Sequence, residues 1–168
     1  MQKIIDKTYY AAIYLRLSKE DGDTSSGEKK ESNSIANQRK LIEDYLNKHP
    51  EITFVQEFCD DGYTGANFDR PDFQRMMEQV KQRKINCIIV KDLSRFGRDY
   101  IDSGKYIEKI FPSLGIRFIA INDNYDSVQS NQAGNEIILP FKNLINDSYS
   151  RDISIKIRST SGLTSGIF

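Results

Sequence analysis

Tyr9-Tyr10-Ala11-Ala12-Ile13-Tyr14-Leu15-Arg16-Leu17-Ser18 is an apolar, β-rich run that ends in a charged side chain and a hydroxyl. Tyr9 to Leu17 reads as a central strand. Side chains alternate across a strand, so Tyr14, Arg16 and Ser18 share one face, and Ile13, Leu15 and Leu17 point the other way. Arg16 and Ser18 therefore project together at the strand tip. A guanidinium there can grip a phosphate oxygen in a forked geometry and offset charge that develops on it. Taken alone, the pair also fits a surface arginine and a loop-starting serine.

Working outward, Lys19 to Asn33 carries Gly22, Gly27, several Ser and many charges, and reads as a mobile polar loop. Ser34 is placed to cap a helix bearing Ile35, Leu41, Ile42, Tyr45 and Leu46, which His49-Pro50 ends. Ile52 to Cys59 is a second strand, and Asp60 to Arg70 a loop with Gly62 and Gly65. Pro71 suits the first turn of a helix with Phe73, Met76, Met77 and Val80 on one face. Ile85 to Val90 is a third strand, apolar enough to be buried on both faces. Asp99 to Phe111 is a helix stopped by Pro112 and Gly115; Ile116 to Ile121 is a fourth strand, and Asn122 to Asn135 is loop-like.

A last helix starts near Leu139 with Pro140 in its first turn. Its stripe of Phe141, Leu144, Ile145, Tyr149 and Ile153 has no following strand to cover it. It is buried either on its own sheet or against another subunit. The alternation predicts an α/β fold: an open, largely parallel four- to five-stranded sheet flanked by helices, with a long C-terminal helix that is an oligomerisation helix where its stripe meets another subunit. The expected divisions are a catalytic unit over 1–138, the start of the long helix over 139–158, and a flexible tail over 159–168.

The length of 168 residues suits one domain, and 38% hydrophobic residues can supply its core. No apolar run approaches the roughly 20 residues that span a bilayer, and Met1 to Lys7 has no secretory pattern. Cys59 and Cys87 sit in or beside apolar runs, as reduced buried thiols do, and no Cys/His spacing resembles a metal site. His49, beside Pro50, is expected to be solvated. The 24 basic and 24 acidic residues balance, which argues against strong DNA affinity by this chain alone but not against a local basic site.

Sites in open parallel sheets form outside the carboxyl ends of the strands. Ser18, Asp61 and the stretch Asp92 to Arg98 fall at such ends. In Ser94-Arg95-Phe96-Gly97-Arg98, Arg95 and Arg98 are three apart at the start of the helix, and one turn would aim both at the same place. They equally fit arginines that solvate a helix start. Gln38 lies on an apolar helix face and needs a hydrogen-bond partner there. It either points toward Ser18 or a bound phosphate, or is a satisfied structural amide. An acid at the start of the 60–70 loop and Arg70 at its end are able to pair. A serine hydroxyl among arginines suits attack on a phosphodiester better than acyl transfer.

Four motifs in order carry a family resemblance: Tyr14-Leu15-Arg16-Leu17-Ser18, Ser34-Ile35-Ala36-Asn37-Gln38-Arg39, the Asp61-to-Pro71 loop, and Lys91-Asp92-Leu93-Ser94-Arg95-Phe96-Gly97-Arg98-Asp99. Together they resemble the catalytic domain of serine recombinases, the resolvase/invertase group, over roughly Tyr9 to Ile157. Asn122-Asp123 and Pro140-Phe141-Lys142-Asn143 are similar to the large members of integrative and transposable elements. The resemblance implies that Ser18 forms a 5′-phosphoserine bond to DNA and releases a 3′-hydroxyl. It implies that Arg16, Arg95 and Arg98 bind the phosphate, that Gln38 supports them, and that Arg70 with Asp61 is an accessory pair. It implies no metal or other cofactor, double-stranded DNA recombination sites as partners, no membrane, and a homodimer that forms a synaptic homotetramer. The expected location is a bacterial cytoplasm, at the nucleoid.

Two departures stand out. Small resolvases have Asp where this chain has Ser94, which leaves an arginine or Asp92 as candidate proton donor to the leaving oxygen. The chain also stops at Phe168, where family members continue into DNA-binding segments, so those domains are expected to be absent from it. The alternative is a truncated, non-catalytic oligomerisation fragment. A receiver-like module would need an acidic pair after the first strand, and a dinucleotide fold Gly-x-Gly-x-x-Gly there. A cysteine phosphatase would need an Arg five residues after Cys59 or Cys87. The first strand instead ends in Arg16-Leu17-Ser18, no Gly-x-Gly-x-x-Gly follows it, and neither cysteine has that Arg.

Overall fold

β1 (Tyr9–Leu17) is buried continuously from Ala11 to Leu17. It lies between two parallel neighbours and between two helical layers, which is why its sequence reads as an unbroken apolar run. The computed structural model describes residues 7–17, 27–61, 68–97 and 99–129, with backbone alone at 27–33, 61 and 100. β2 (Ile52–Asp61) pairs with β1 from Tyr9 against Ile52 to Leu17 against Asp61. β3 (Cys87–Val90) pairs with the other side of β1 over Ala11 to Ile13. β4 (Arg117–Ala120) is parallel to β3 and β5 (Tyr125–Asp126) antiparallel to β4, so the order is β2-β1-β3-β4-β5. The α/β class and the mostly parallel sheet agree with the sequence expectation.

The two faces of β1 sort as the alternation predicts. Ala11, Ile13 and Leu15 meet Ile35, Ile42, Tyr45 and Leu46 of α1 (Gly27–Asn47). Ala12 and Tyr14 face α2 (Pro71–Lys81), whose Phe73, Met76, Met77 and Val80 are buried, and an aromatic layer. Phe96 lies at the centre of that layer, with ring contacts to Phe68, Phe73, Tyr106, Phe111 and Phe118. Each fully buried ring contributes about 1.5–3 kcal/mol over an exposed one. The layer therefore anchors α3 (Leu93–Phe96), the four-residue helix that carries Arg95.

Several expectations are corrected. α1 begins at Gly27, so Ser34 lies inside it and is not its cap. Glu28-Lys29-Lys30-Glu31 are strong helix formers and extend the helix beyond its apolar stripe. The helix foreseen over Asp99 to Phe111 is three pieces: α4 (Tyr100–Lys105), a wide π turn over Tyr106–Ile110, and α5 (Phe111–Ser113). Pro112 sits inside this segment. Its ring would crowd the carbonyl four residues back in a regular α-helix, and the wider turn relieves that crowding. Gly115 then ends it at φ +68, a conformation open to glycine. The stretch after Ile121 contains β5, and the bidentate Arg117–Asp126 contact (3.1 and 2.7 Å) holds it to β4.

His49 is half-buried: it stacks on Tyr45 (4.1 Å between centroids) and its Nδ1 lies 3.1 Å from Glu51 Oε1. Both cysteines are thiols, and burial pushes Cys87 up to about 12. Among the described residues no helix is long and apolar enough to cross a membrane. The helix expected at 139–158 and the tail at 159–168 lie outside the described residues.

The strand order reverses between β1 and β3, and the carboxyl ends of two such strands part and leave a crevice. β1 continues past Ile13, its last pairing with β3. Arg16 is on that overhang.

Candidate active site

Arg16 is 1% exposed. Its backbone, beyond the reach of β3, is held by the Gln38 side chain: Arg16 N–H donates to Gln38 Oε1 (3.5 Å) and Gln38 Nε2 donates to the Arg16 carbonyl (3.3 Å). One amide thus replaces a missing strand neighbour. This explains a fully buried Gln on the apolar face of α1. The amide is satisfied by the backbone of Arg16, two residues before Ser18 in the chain.

The Arg16 side chain turns toward α3. Nε donates to the Arg95 carbonyl (3.2 Å) and Nη2 to the Ser94 carbonyl (2.7 Å), while Arg95 Nη1 returns a bond to the Arg16 carbonyl (3.5 Å). The forked edge expected on a phosphate therefore lies on two protein carbonyls in this structure. Arg16, Gln38 and Arg95 are together. Ser18 follows Leu17 directly in the chain; Ser18 and Arg98 lie outside the described residues, as does the Asp61 side chain.

α3 is gripped at both ends by groups that match its dipole. At its start Asp92 accepts from Arg95 N–H (3.0 Å) and from Ser94 Oγ–H (2.5 Å), and Asp123 accepts from Leu93 N–H (2.7 Å). Burial raises the Asp123 carboxyl above its usual range; the Leu93 bond opposes this and Asp92 adds to it. At the other end Arg16 takes the carbonyls of Ser94 and Arg95, and Arg70 Nη2 takes that of Phe96 (2.7 Å). The backbone then runs extended at Gly97 (φ −170) before α4. α3 thus ends before the 98 position, which lies outside the described residues. Gly97 is needed for space: a Cβ there would lie 2.5 Å from Ser103 Oγ and 2.8 Å from the Phe68 ring. The start of α4 is closed as an anion site by its own Asp99, which accepts from Ile101 (2.9 Å) and Asp102 (3.3 Å).

Arg70 is 0% exposed. Preceding Pro71 it is extended, and it occupies the N-cap of α2 without capping it. Asp60 supplies the cap from the end of β2, accepting from Asp72 N–H (3.0 Å) and Phe73 N–H (2.9 Å). Asp60 Oδ2 also accepts from the Tyr14 hydroxyl (2.9 Å), which in turn accepts from Arg70 Nη1 (2.8 Å). Burial lowers the Arg70 pKa, and Tyr14 and Asp60 act against it. Burial drives the Tyr14 phenol far upward; Arg70 opposes and Asp60 adds, so the phenol keeps its proton.

Tyr14, Asp60, Gly97 and Asp123 were not singled out as site residues from sequence. The usable signal for Tyr14 was its face, shared with Arg16. Among the described residues no three His, Cys, Asp or Glu side chains gather as metal ligands.

No curated protein sequence matches the chain significantly. Solved structures do. The N-terminal catalytic domain of TP901-1 integrase superposes with TM-score 0.61 at 21% identity, covering 86% of this chain and 98% of that one. A resolvase family site-specific recombinase from Streptococcus pneumoniae gives 0.58 at 21%, covering 94% and 97%. The C-terminal catalytic domain of ISC1926 TnpA, an IS607-like serine recombinase, gives 0.53 at 20%, covering 67% and 70%. These likenesses establish the fold. The family model described as "Resolvase, N terminal domain" matches residues 11–163. With Arg16 buried at the crevice beside the strand tip and bonded to Arg95, the chain belongs to the resolvase family and is a catalytic domain of a site-specific serine recombinase.

Proposed function

We propose that this domain cleaves and rejoins double-stranded DNA with Ser18 as nucleophile. The observation that carries this reading is the meeting of Arg16, Gln38 and Arg95 at the tip of β1, two residues before Ser18. Ser18 Oγ attacks the phosphodiester, an Oγ–P bond forms, and the P–O3′ bond breaks. The serine proton leaves to a base, and the departing 3′-oxygen gains one as it becomes a hydroxyl. Religation is the reverse, so the phosphoserine keeps the bond energy. Arg16, Arg95 and Arg98 offset the charge on the phosphate in flight, Gln38 holds the backbone of Arg16, and Arg70 with Asp61 is the accessory pair.

To meet a phosphate with its Nε–Nη2 edge, Arg16 exchanges the carbonyls of Ser94 and Arg95 for phosphate oxygens. Each such bond is worth about 1.5–3 kcal/mol, and phosphate makes the stronger partner. Asp92 caps α3 with both a backbone and a hydroxyl donor, so the geometry favours an arginine over Asp92 as proton donor. Dimers and a synaptic tetramer, assembled through residues 139–158, and action at a bacterial nucleoid complete the proposal.

The test is covalent capture. Incubated with a pool of nicked duplexes of randomised sequence, the chain is expected to form a protein–DNA adduct that survives denaturation, with a free 3′-hydroxyl and the 5′-phosphate on Ser18. Ser18→Ala is expected to abolish it. An adduct that persists in Ser18→Ala rejects the nucleophile.

A further inference from the structure

Arg70 is buried among the rings of Tyr14, Phe68 and Phe73, at 5.4, 4.7 and 5.4 Å from their centroids. A guanidinium so enclosed is poorly placed to touch DNA. Its hydrogen bonds run inward instead, one to the Tyr14 hydroxyl and one to the Phe96 carbonyl. Phe96 closes the helix that presents Arg95. Arg16 and Arg70 between them take three successive carbonyls of that helix, at Ser94, Arg95 and Phe96.

We propose that Tyr14 and Asp60 are positioning residues that act through Arg70 on the Phe96 carbonyl, and so set where Arg95 stands. The inference rests on the recombinase reading above. The chain of bonds is unbroken: the amide donors at the start of α2, the Asp60 carboxylate, the Tyr14 hydroxyl, the Arg70 guanidinium, the Phe96 carbonyl. Each link is directional. Asp60 Oδ2 already accepts from Phe73 and Tyr14, so the Tyr14 hydrogen points to Asp60 and its lone pair to Arg70. Without the phenol oxygen, Arg70 Nη1 loses its acceptor in a buried place, and the guanidinium is free to rotate about its bond to Phe96. Asp60 sets the phenol's direction and offsets the charge of Arg70 at one remove. No proton moves along the chain, because the phenol stays protonated.

The experiment is a cycle of Tyr14→Phe, Arg70→Ala and the double variant in the full chain, read by adduct formation on the nicked-duplex pool. Tyr14→Phe is expected to lower the adduct rate at saturating DNA about tenfold, with the half-saturating DNA concentration unchanged. In the Arg70→Ala background it is expected to have no further effect. Asp60→Asn, which keeps an acceptor oxygen for one of the two α2 amides, is expected to give the same pattern and serves where Tyr14→Phe does not fold. Nitrogen-15 spectra of the Arg70 guanidinium without DNA give a second readout: distinct, slowly exchanging Nη signals in the wild type, averaged in Tyr14→Phe. Equal losses with and without Arg70, or unchanged Arg70 signals, overturn the inference alone. Absence of any adduct from the wild type overturns the recombinase reading and this inference with it.

Discussion

At the amino-terminal end of the sheet Arg117 meets a carboxylate; at the carboxyl-terminal end Arg16 and Arg70 meet carbonyl and phenol oxygens. All three side chains are buried. Arg117 holds Asp126 in a two-point contact, lies 4.6 Å from the centroid of the Tyr9 ring, and reaches Glu51 at 3.7 Å. Burial alone would lower its pKa, but the hydrogen bonds and charge of Asp126 outweigh that and raise it. For Arg70, burial prevails and the pKa falls. A carboxylate fixes a guanidinium and cancels its charge. A carbonyl fixes it and leaves the charge in place. Arg117 thereby ties β5 to β4, while Arg16 and Arg70 hold the carbonyl end of α3 beside the crevice.

The sharpest way to break this comparison is to truncate one arginine at each end. Arg117→Ala leaves Asp126 buried without its partner and is expected to cost about 3–5 kcal/mol of stability, while the adduct rate per folded molecule holds. Replacing both, Arg117→Met with Asp126→Leu, is expected to restore most of the loss. Denaturant unfolding beside adduct kinetics reads both quantities. Arg95→Ala should do the opposite: adduct formation falls about 10²- to 10³-fold and the melting temperature moves little. Equal loss of folding and activity at Arg95 would make the carboxyl-end arginines structural.

A smaller effect sharpens the comparison at Asp123, a carboxylate that supports α3 with no arginine partner among the described residues. Its folded pKa is raised above the ordinary 3.8, chiefly by burial. The folded state then holds its proton more tightly than the unfolded state, so the group weakens the fold as pH rises through that window. Asp123→Asn keeps an oxygen for the Leu93 amide and removes the titration. Its stability relative to wild type is expected to improve as pH rises from 3 to 7. A gap independent of pH would show that Asp123 does not carry the shift.

What was legible in the sequence were features of one strand. The apolar run of β1, its alternation and the shared face of Tyr14 and Arg16 follow from a period of two, and a parallel sheet follows from strands alternating with helices. What was not legible depends on pairing between distant segments. Tyr14 finds Asp60 only because β1 and β2 lie in one register, with Arg16 opposite Asp60. The carbonyls that receive Arg16 and Arg70 belong to no residue type and leave no trace in composition. The early start of α1 was hidden because charged helix formers show no apolar period. β5 was hidden because two residues make no pattern, and its strand exists through the contact of Asp126 with Arg117.

The central claim is that several guanidinium forks and one alcohol oxygen gather on a single phosphate at the tip of β1. A crystal structure of the chain with a duplex bearing its scissile phosphate tests it directly. The account predicts one phosphate within about 3 Å of Ser18 Oγ and of guanidinium nitrogens from Arg16, Arg95 and Arg98. A bound phosphate backbone that passes over another face, with those side chains directed away from it, would contradict the account.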